Sequence, residues 1–119
     1  MARPISSEEA TVVRWLLDHR GPAEPEVFPD PGVDDLIVVA SCRCGCRSVD
    51  FASDRTGERI IRDACAQFAY DAQVGIVLWA TGNILTALEF HGGTADAAAR
   101  VPTVSELRTW EQLGETYAQ

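Results

Sequence analysis

Lysine is absent from this chain of 119 residues, and Asn83 is its only asparagine. All ten basic residues are arginine, set against 18 acidic ones for a net charge of -8. Selection for guanidinium forks would explain the missing lysine, but a GC-rich genome that avoids Lys and Asn codons is the plainer explanation. The shortage of positive charge excludes non-specific binding to nucleic acid, which requires Lys and Arg to neutralise phosphates. It favours a basic partner if there is a partner at all. No apolar run approaches the roughly 18 residues of a membrane-spanning helix. Met1 to Glu9 lacks the apolar core of a secretory signal, so the chain reads as cytoplasmic, with its thiols reduced. It also lacks a phosphate-binding glycine loop, a paired-histidine metal motif and a nucleophile elbow, and no catalytic group stands out.

What is present suits one ordinary globular domain over residues 1–119. Apolar residues make up 46% and charged residues 24%, enough for a real hydrophobic core at this length. Ser6-Ser7-Glu8-Glu9 is a capping-box pattern, and Val12, Val13, Leu16 and Leu17 follow at helical spacing. A helix over about 6–20 is predicted, stopped by Gly21-Pro22. Pro22, Pro25, Pro29 and Pro31 then exclude a helix or central strand over 21–34.

From Leu36 to Ala52 the period changes to two. A three-residue loop, Arg43-Cys44-Gly45, closed by Gly45 as a left-handed bulge, would set Cys42 opposite Cys46, Val39 opposite Val49, and Ile37 opposite Phe51. One hairpin face is then Ile37, Val39, Val49 and Phe51. Residues 53–63 read as a loop or ragged element, and a strand is expected near Ala66 to Tyr70. A second hairpin is predicted from Val74–Ala80 and Ile84–Phe90, turning at Thr81-Gly82-Asn83, where Gly and Asn accept positive φ. Apolar on both faces, its strands should sit centrally. Val104, Leu107, Trp110 and Leu113 predict a short C-terminal helix led by Thr103 or Ser105. The fold class is therefore α+β: an N-terminal amphipathic helix packed on an antiparallel sheet of four or five strands made of two hairpins.

The chemistry concentrates in Cys42-Arg43-Cys44-Gly45-Cys46-Arg47-Ser48, which holds three of the four cysteines. Sulfurs around one tetrahedral zinc lie roughly 3.8 Å apart. On a straight strand alternate residues are about 6.7 Å apart, so an extended run cannot chelate one ion. A hairpin can bring Cys42 and Cys46 together, with Cys44 at the tip and Cys65 or His91 completing the set. The candidate metal ligands are thus Cys42, Cys44, Cys46 and Cys65, with zinc as the ion. The same cross-strand geometry would admit a reversible Cys42–Cys46 disulfide, with Arg43 and Arg47 lowering the thiol pKa. Against both readings, small thiols simply pack well in a tight turn.

Glu89 and His91 suggest an acid–base pair, but they are expected on opposite faces of a strand and so not to meet, Glu89 instead pairing with an Arg or reaching solvent. His19 is expected to complement the helix dipole. Trp15, Trp79 and Trp110 are expected in core or edge packing.

The order of these segments, with Val38 to Phe51 and Val74 to Phe90, resembles a group of small bacterial proteins frequent in actinobacteria. They combine a Cys-x-Cys-Gly-Cys-x-Ser run with a later strand ending in Leu-Glu. Where that group tends to have Asp-Gly at the second turn, this chain has Gly82-Asn83. The resemblance implies a shared fold and hairpin and no activity. The expected function is a small acidic protein-interaction domain of adaptor or immunity type. The alternative is a metal-binding or thiol-redox protein working through the Cys hairpin.

Overall fold

A computed structural model describes residues 2–19, 27–41, 47–67, 73–91 and 100–110. The chain is α+β, with one N-terminal helix and antiparallel sheets. Among the described residues, no helix is long and apolar enough to cross a membrane.

Helix α1 spans Ser7–Asp18 and starts as the capping box requires. Glu9 N–H donates to Ser6 Oγ at 3.1 Å, and Ser6 N–H donates to Glu9 Oε1 at 2.9 Å. Arg3, from the short strand β1 (Arg3–Pro4), adds a two-pronged contact to Glu9 at 2.8 and 2.7 Å. Glu9 is almost fully buried, and desolvation alone would raise its pKa. The hydrogen bonds from Arg3 and Ser6 outweigh that effect and hold the carboxyl below its usual range. Ala10, Val12, Val13 and Leu16 form the buried stripe of α1. The expected stop at Gly21-Pro22 lies outside the described residues.

The region from Leu36 onward is not one hairpin arm. Strand β2 (Ile37–Val38) pairs with β1 in a two-stranded sheet, whereas β3 (Ala40–Ser41) joins the main sheet through β4 (Val49–Asp50). The observed partners are Ala40↔Asp50 and Ser41↔Val49, so Val39 does not face Val49 as the sequence suggested. Leu36 and Val38 are buried while Ile37 is exposed, which also reverses the expected inward face of this arm. The cause is competition: the strand leaves one ladder for another at Val39, whose N–H donates to Asp50 O at 2.8 Å. The proposed turn at 43–45 and the facing of Cys42 and Cys46 lie outside the described residues.

Among the described residues, the main sheet has six strands in the order β3-β4-β7-β6-β5-β8, rather than four or five. Strand β5 (Arg59–Gln67) begins seven residues before the strand expected near Ala66, and residues 68–70 lie outside the described residues. Strands β6 (Gln73–Thr81) and β7 (Ile84–His91) form the anticipated second hairpin, near the middle of the sheet. Thr81 pairs with Ile84 across Gly82-Asn83, and Gly82 takes φ +59°, a conformation in which Gly carries no steric cost.

The expected C-terminal helix is corrected over 104–108, whereas Trp110, the last described residue, is helical. Val104–Glu106 is a single 3-10 turn opened by Thr103, and β8 (Leu107–Arg108) follows it, paired with β5. Glu106 accepts from Thr103 N–H at 2.9 Å and is gripped by Arg100, which together with Thr103 holds its pKa down to about 2.

Strand alternation sorts the sheet into two faces. One carries Val49, Leu88 and Leu78 in one row and Phe90, Ile76 and Ala64 in the next. These pack with Val12, Val13 and Leu16 of α1 in the core. The other carries Asp50, Ala87, Trp79 and Ile60, then Glu89, Val77 and Asp63, then His91, Gly75, Cys65 and Arg108.

Candidate functional site

The polar groups of this second face converge on Arg55. A turn over 54–58 presents it: Asp54 Oδ1 accepts from Thr56 N–H at 2.9 Å, and Gly57 takes φ +77°. The Arg55 guanidinium donates to Glu58 at 2.8 Å, to Asp50 at 3.2 Å and to Glu89 at 2.6 Å. It also lies over the Trp79 ring, 5.8 Å from the centroid. The Glu58 hydrogen bond, together with Glu89, raises the Arg55 pKa against desolvation. Arg55 in turn holds the Glu58 carboxyl below its usual range.

A bulge supplies the last member. Trp79 pairs with Ala87 and Ala80 with Leu85, so Thr86 is the extra residue on β7. Its hydroxyl donates to Glu58 Oε2 at 2.7 Å, and its carbonyl accepts from Phe51 N–H at 2.7 Å. The bulge thus turns Thr86 out of the ladder and onto the 51–58 segment. Asp50, Arg55, Glu58, Thr86 and Glu89 form a clasp that fastens this turn to the sheet. The three carboxylates share the one Arg55 guanidinium, so the cluster is an ion-pair network with an excess of negative charge.

Glu89 therefore pairs with an arginine, as its sequence setting suggested. Glu89 and His91 are two apart on β7 and share a face, which corrects the expectation of opposite faces; Arg55 still claims the carboxylate. The His91 ring lies across Gly75: a Cβ there would fall 2.5 Å from Nε2 and 2.9 Å from Nδ1. A glycine inside an apolar strand marks such a close approach and was the signal in the sequence.

Cys65, beside Gly75, is fully buried. Its thiol reaches the Arg108 carbonyl at 3.5 Å, and burial pushes its pKa up to about 11. Burial thus favours the thiol over the thiolate that acts as nucleophile or metal ligand. Cys42, Cys44 and Cys46 lie outside the described residues. Among the described residues, no three His, Cys, Asp or Glu side chains are arranged to hold a metal ion. Ser48 marks where the chain leaves the Cys run: its hydroxyl accepts from Phe90 N–H at 2.8 Å and contacts Phe90 O at 3.2 Å.

His19 stacks on Trp15 with ring centroids 4.0 Å apart and places Nδ1 2.8 Å from Trp15 O at the end of α1. Trp110 donates from Nε1 to Asp63 at 2.9 Å. Among the described residues, Phe28 is the most exposed of the large apolar side chains, at 70%, and Ile84 follows at 51%. Asn83 ties these two regions together: its side chain accepts from Phe28 N–H at 3.4 Å and its carbonyl from Asp30 N–H at 3.1 Å. The lone asparagine of the chain thus has a structural use that its position in a turn signalled only in part. Comparison with protein-family models, curated proteins and solved structures finds no match for this chain.

Proposed function

We propose that this is a small acidic, cytoplasmic protein-interaction domain of adaptor or immunity type, without catalytic activity. It would belong with the small bacterial proteins that share its Cys-x-Cys-Gly-Cys-x-Ser run. The observation that carries the reading is the contrast between tied polar groups and untied apolar ones. Arg55, Glu58, Glu89, Arg3 and Glu9 are all in internal ion pairs, and Cys65 is buried as a thiol. Phe28 and Ile84, in contrast, are both exposed, and Asn83, which precedes Ile84 at the β6–β7 turn, holds the Phe28 and Asp30 amides. Exposed apolar side chains grouped at one place are the usual mark of a binding surface. Co-purification from the native cell with tagged wild type and a Phe28→Ser/Ile84→Ser variant of equal melting temperature tests the reading. A protein retained by the wild type and lost from the variant supports it. Identical retained sets contradict it.

A second reading, a metal-binding or thiol-redox centre at Cys42, Cys44 and Cys46, is favoured by one observation. The Ser48–Phe90 clasp brings the end of the Cys run to the neighbourhood of His91, whose ring is seated on Gly75. His91 suits the fourth position better than buried Cys65 does. Elemental analysis of protein purified under reducing conditions separates the readings. One zinc per chain, lost in both His91→Ala and Cys42→Ser, favours the metal centre. Free thiols without stoichiometric metal favour the interaction domain.

A further inference from the structure

The geometry points to Phe28 as a preformed anchor for a partner protein whose surface offers an apolar recess rimmed by Arg or Lys; this rests on the interaction reading above. Three observations converge. First, Phe28 is exposed although both sides of it are fixed. Val27 before it is buried at 6% exposure, and the Phe28 and Asp30 amides are both held by Asn83. Pro29 and Pro31 further restrict the backbone around it. A side chain presented on a restrained backbone loses little conformational freedom when it binds, and buried aromatic anchors dominate interface energetics.

Second, the anchor has an apolar neighbour. Ile84 follows Asn83 in the chain and is half exposed, so the residue that holds the Phe28 amide adjoins a second exposed apolar side chain.

Third, the segment that carries the anchor has charge of one sign. The segment 27–35 carries Asp30, Asp34 and Asp35 and no basic residue. Asp34 is paired with Arg14 of α1, while Asp30 and Asp35 are exposed. A partner rim that complements this segment is cationic, in keeping with the chain's net charge of -8.

The test is a titration of isotope-labelled protein, followed by amide chemical shifts, with two amphipathic peptides of matched length, one of alternating Leu and Lys and one of alternating Leu and Glu. The expected result is a saturable shift confined to Phe28, Asp30, Asn83 and Ile84 with the Leu/Lys peptide only. It disappears in Phe28→Ser and weakens severalfold in Asp30→Asn/Asp35→Asn. Salt that screens exposed charges has the same weakening effect. Equal response to the Leu/Glu peptide, or shifts centred on another surface, overturns the proposal. Phe28-dependent binding to neutral phosphatidylcholine vesicles, with neither peptide active, would assign the anchor to lipid and overturn it too. If a co-purified protein depends on Phe28 yet binding ignores charge, the partner chemistry is wrong and the interaction reading survives. If no co-purified protein depends on Phe28, the interaction reading fails.

Discussion

The two faces of the six-stranded sheet are built by alternate residues of the same strands, yet they are held by different forces. On the helix-covered face, Leu78 sits between Leu88 and the β5 strand, fully buried, and the attraction is apolar and non-directional. On the other face, Asp50, Arg55, Glu58 and Glu89 meet through directional bonds around the half-buried Trp79. A period of two is enough to produce both. The contrast teaches that the apolar face sets whether the chain folds, whereas the polar face sets where the 51–58 turn is fastened.

Breaking the apolar face should have the larger effect. Leu78→Ala leaves a cavity at a site with no exposure and should cost about 2–5 kcal/mol, read from chemical denaturation. Arg55→Ala should cost less, about 2 kcal/mol, because its carboxylate partners are left facing one another but keep some access to solvent. Its signature is local: faster amide exchange over 52–58 with the core strands still protected. A variant that loses core protection as readily as the turn would show that the clasp is part of the core. Gly82→Val, at φ +59°, should cost about 1–2 kcal/mol by left-handed strain without touching either face.

The smallest effects concern pH. Glu9, Glu58 and Glu106 all have folded pKa values below their ordinary ones, Glu106 at about 2 against 4.5. Their contribution is present above the unfolded pKa and is lost as pH falls from about 5 towards 2. Cys65 acts at the other end, with its thiol at about 11 against 9.0. The unfolded thiol ionises first, so stability should decline as pH rises from 9 to 11, and Cys65→Ala should remove that part of the alkaline loss. Melting curves across both ranges, with and without the substitution, measure it.

How much of this was legible in the sequence depends on how local the cause is. The start of α1 was readable because Ser6 and Glu9 satisfy each other within one turn. The second hairpin was readable because Gly82-Asn83 and the apolar flanks agree. The division at Val39 was not, since it depends on Arg3 and Pro4 capturing Ile37 and Val38 from far away in the chain. The first part of β5, Arg59–Cys65, was missed because a register shift between Ile60 and Arg62 breaks its alternation and because Ala64 carries a weak apolar signal. Val104, Leu107 and Trp110 have helical spacing, but pairing with Cys65 and Ala66 draws Leu107 and Arg108 into the sheet. The Arg55 clasp joins residues up to 34 positions apart, and no motif announces it. Phe28 between prolines was visible as a residue, but only the Asn83 contacts show that it is held outward.

The central claim is that this domain works through the Phe28 end rather than through thiol chemistry. The most direct measurement places a photo-reactive phenylalanine analogue at position 28 and, as a control, at Val104, which is 48% exposed in a different part of the chain. After irradiation in the native cell, the account predicts a discrete cross-linked partner from position 28 and none of it from position 104. The same adducts from both positions, or no adduct from position 28 at full expression, would contradict it.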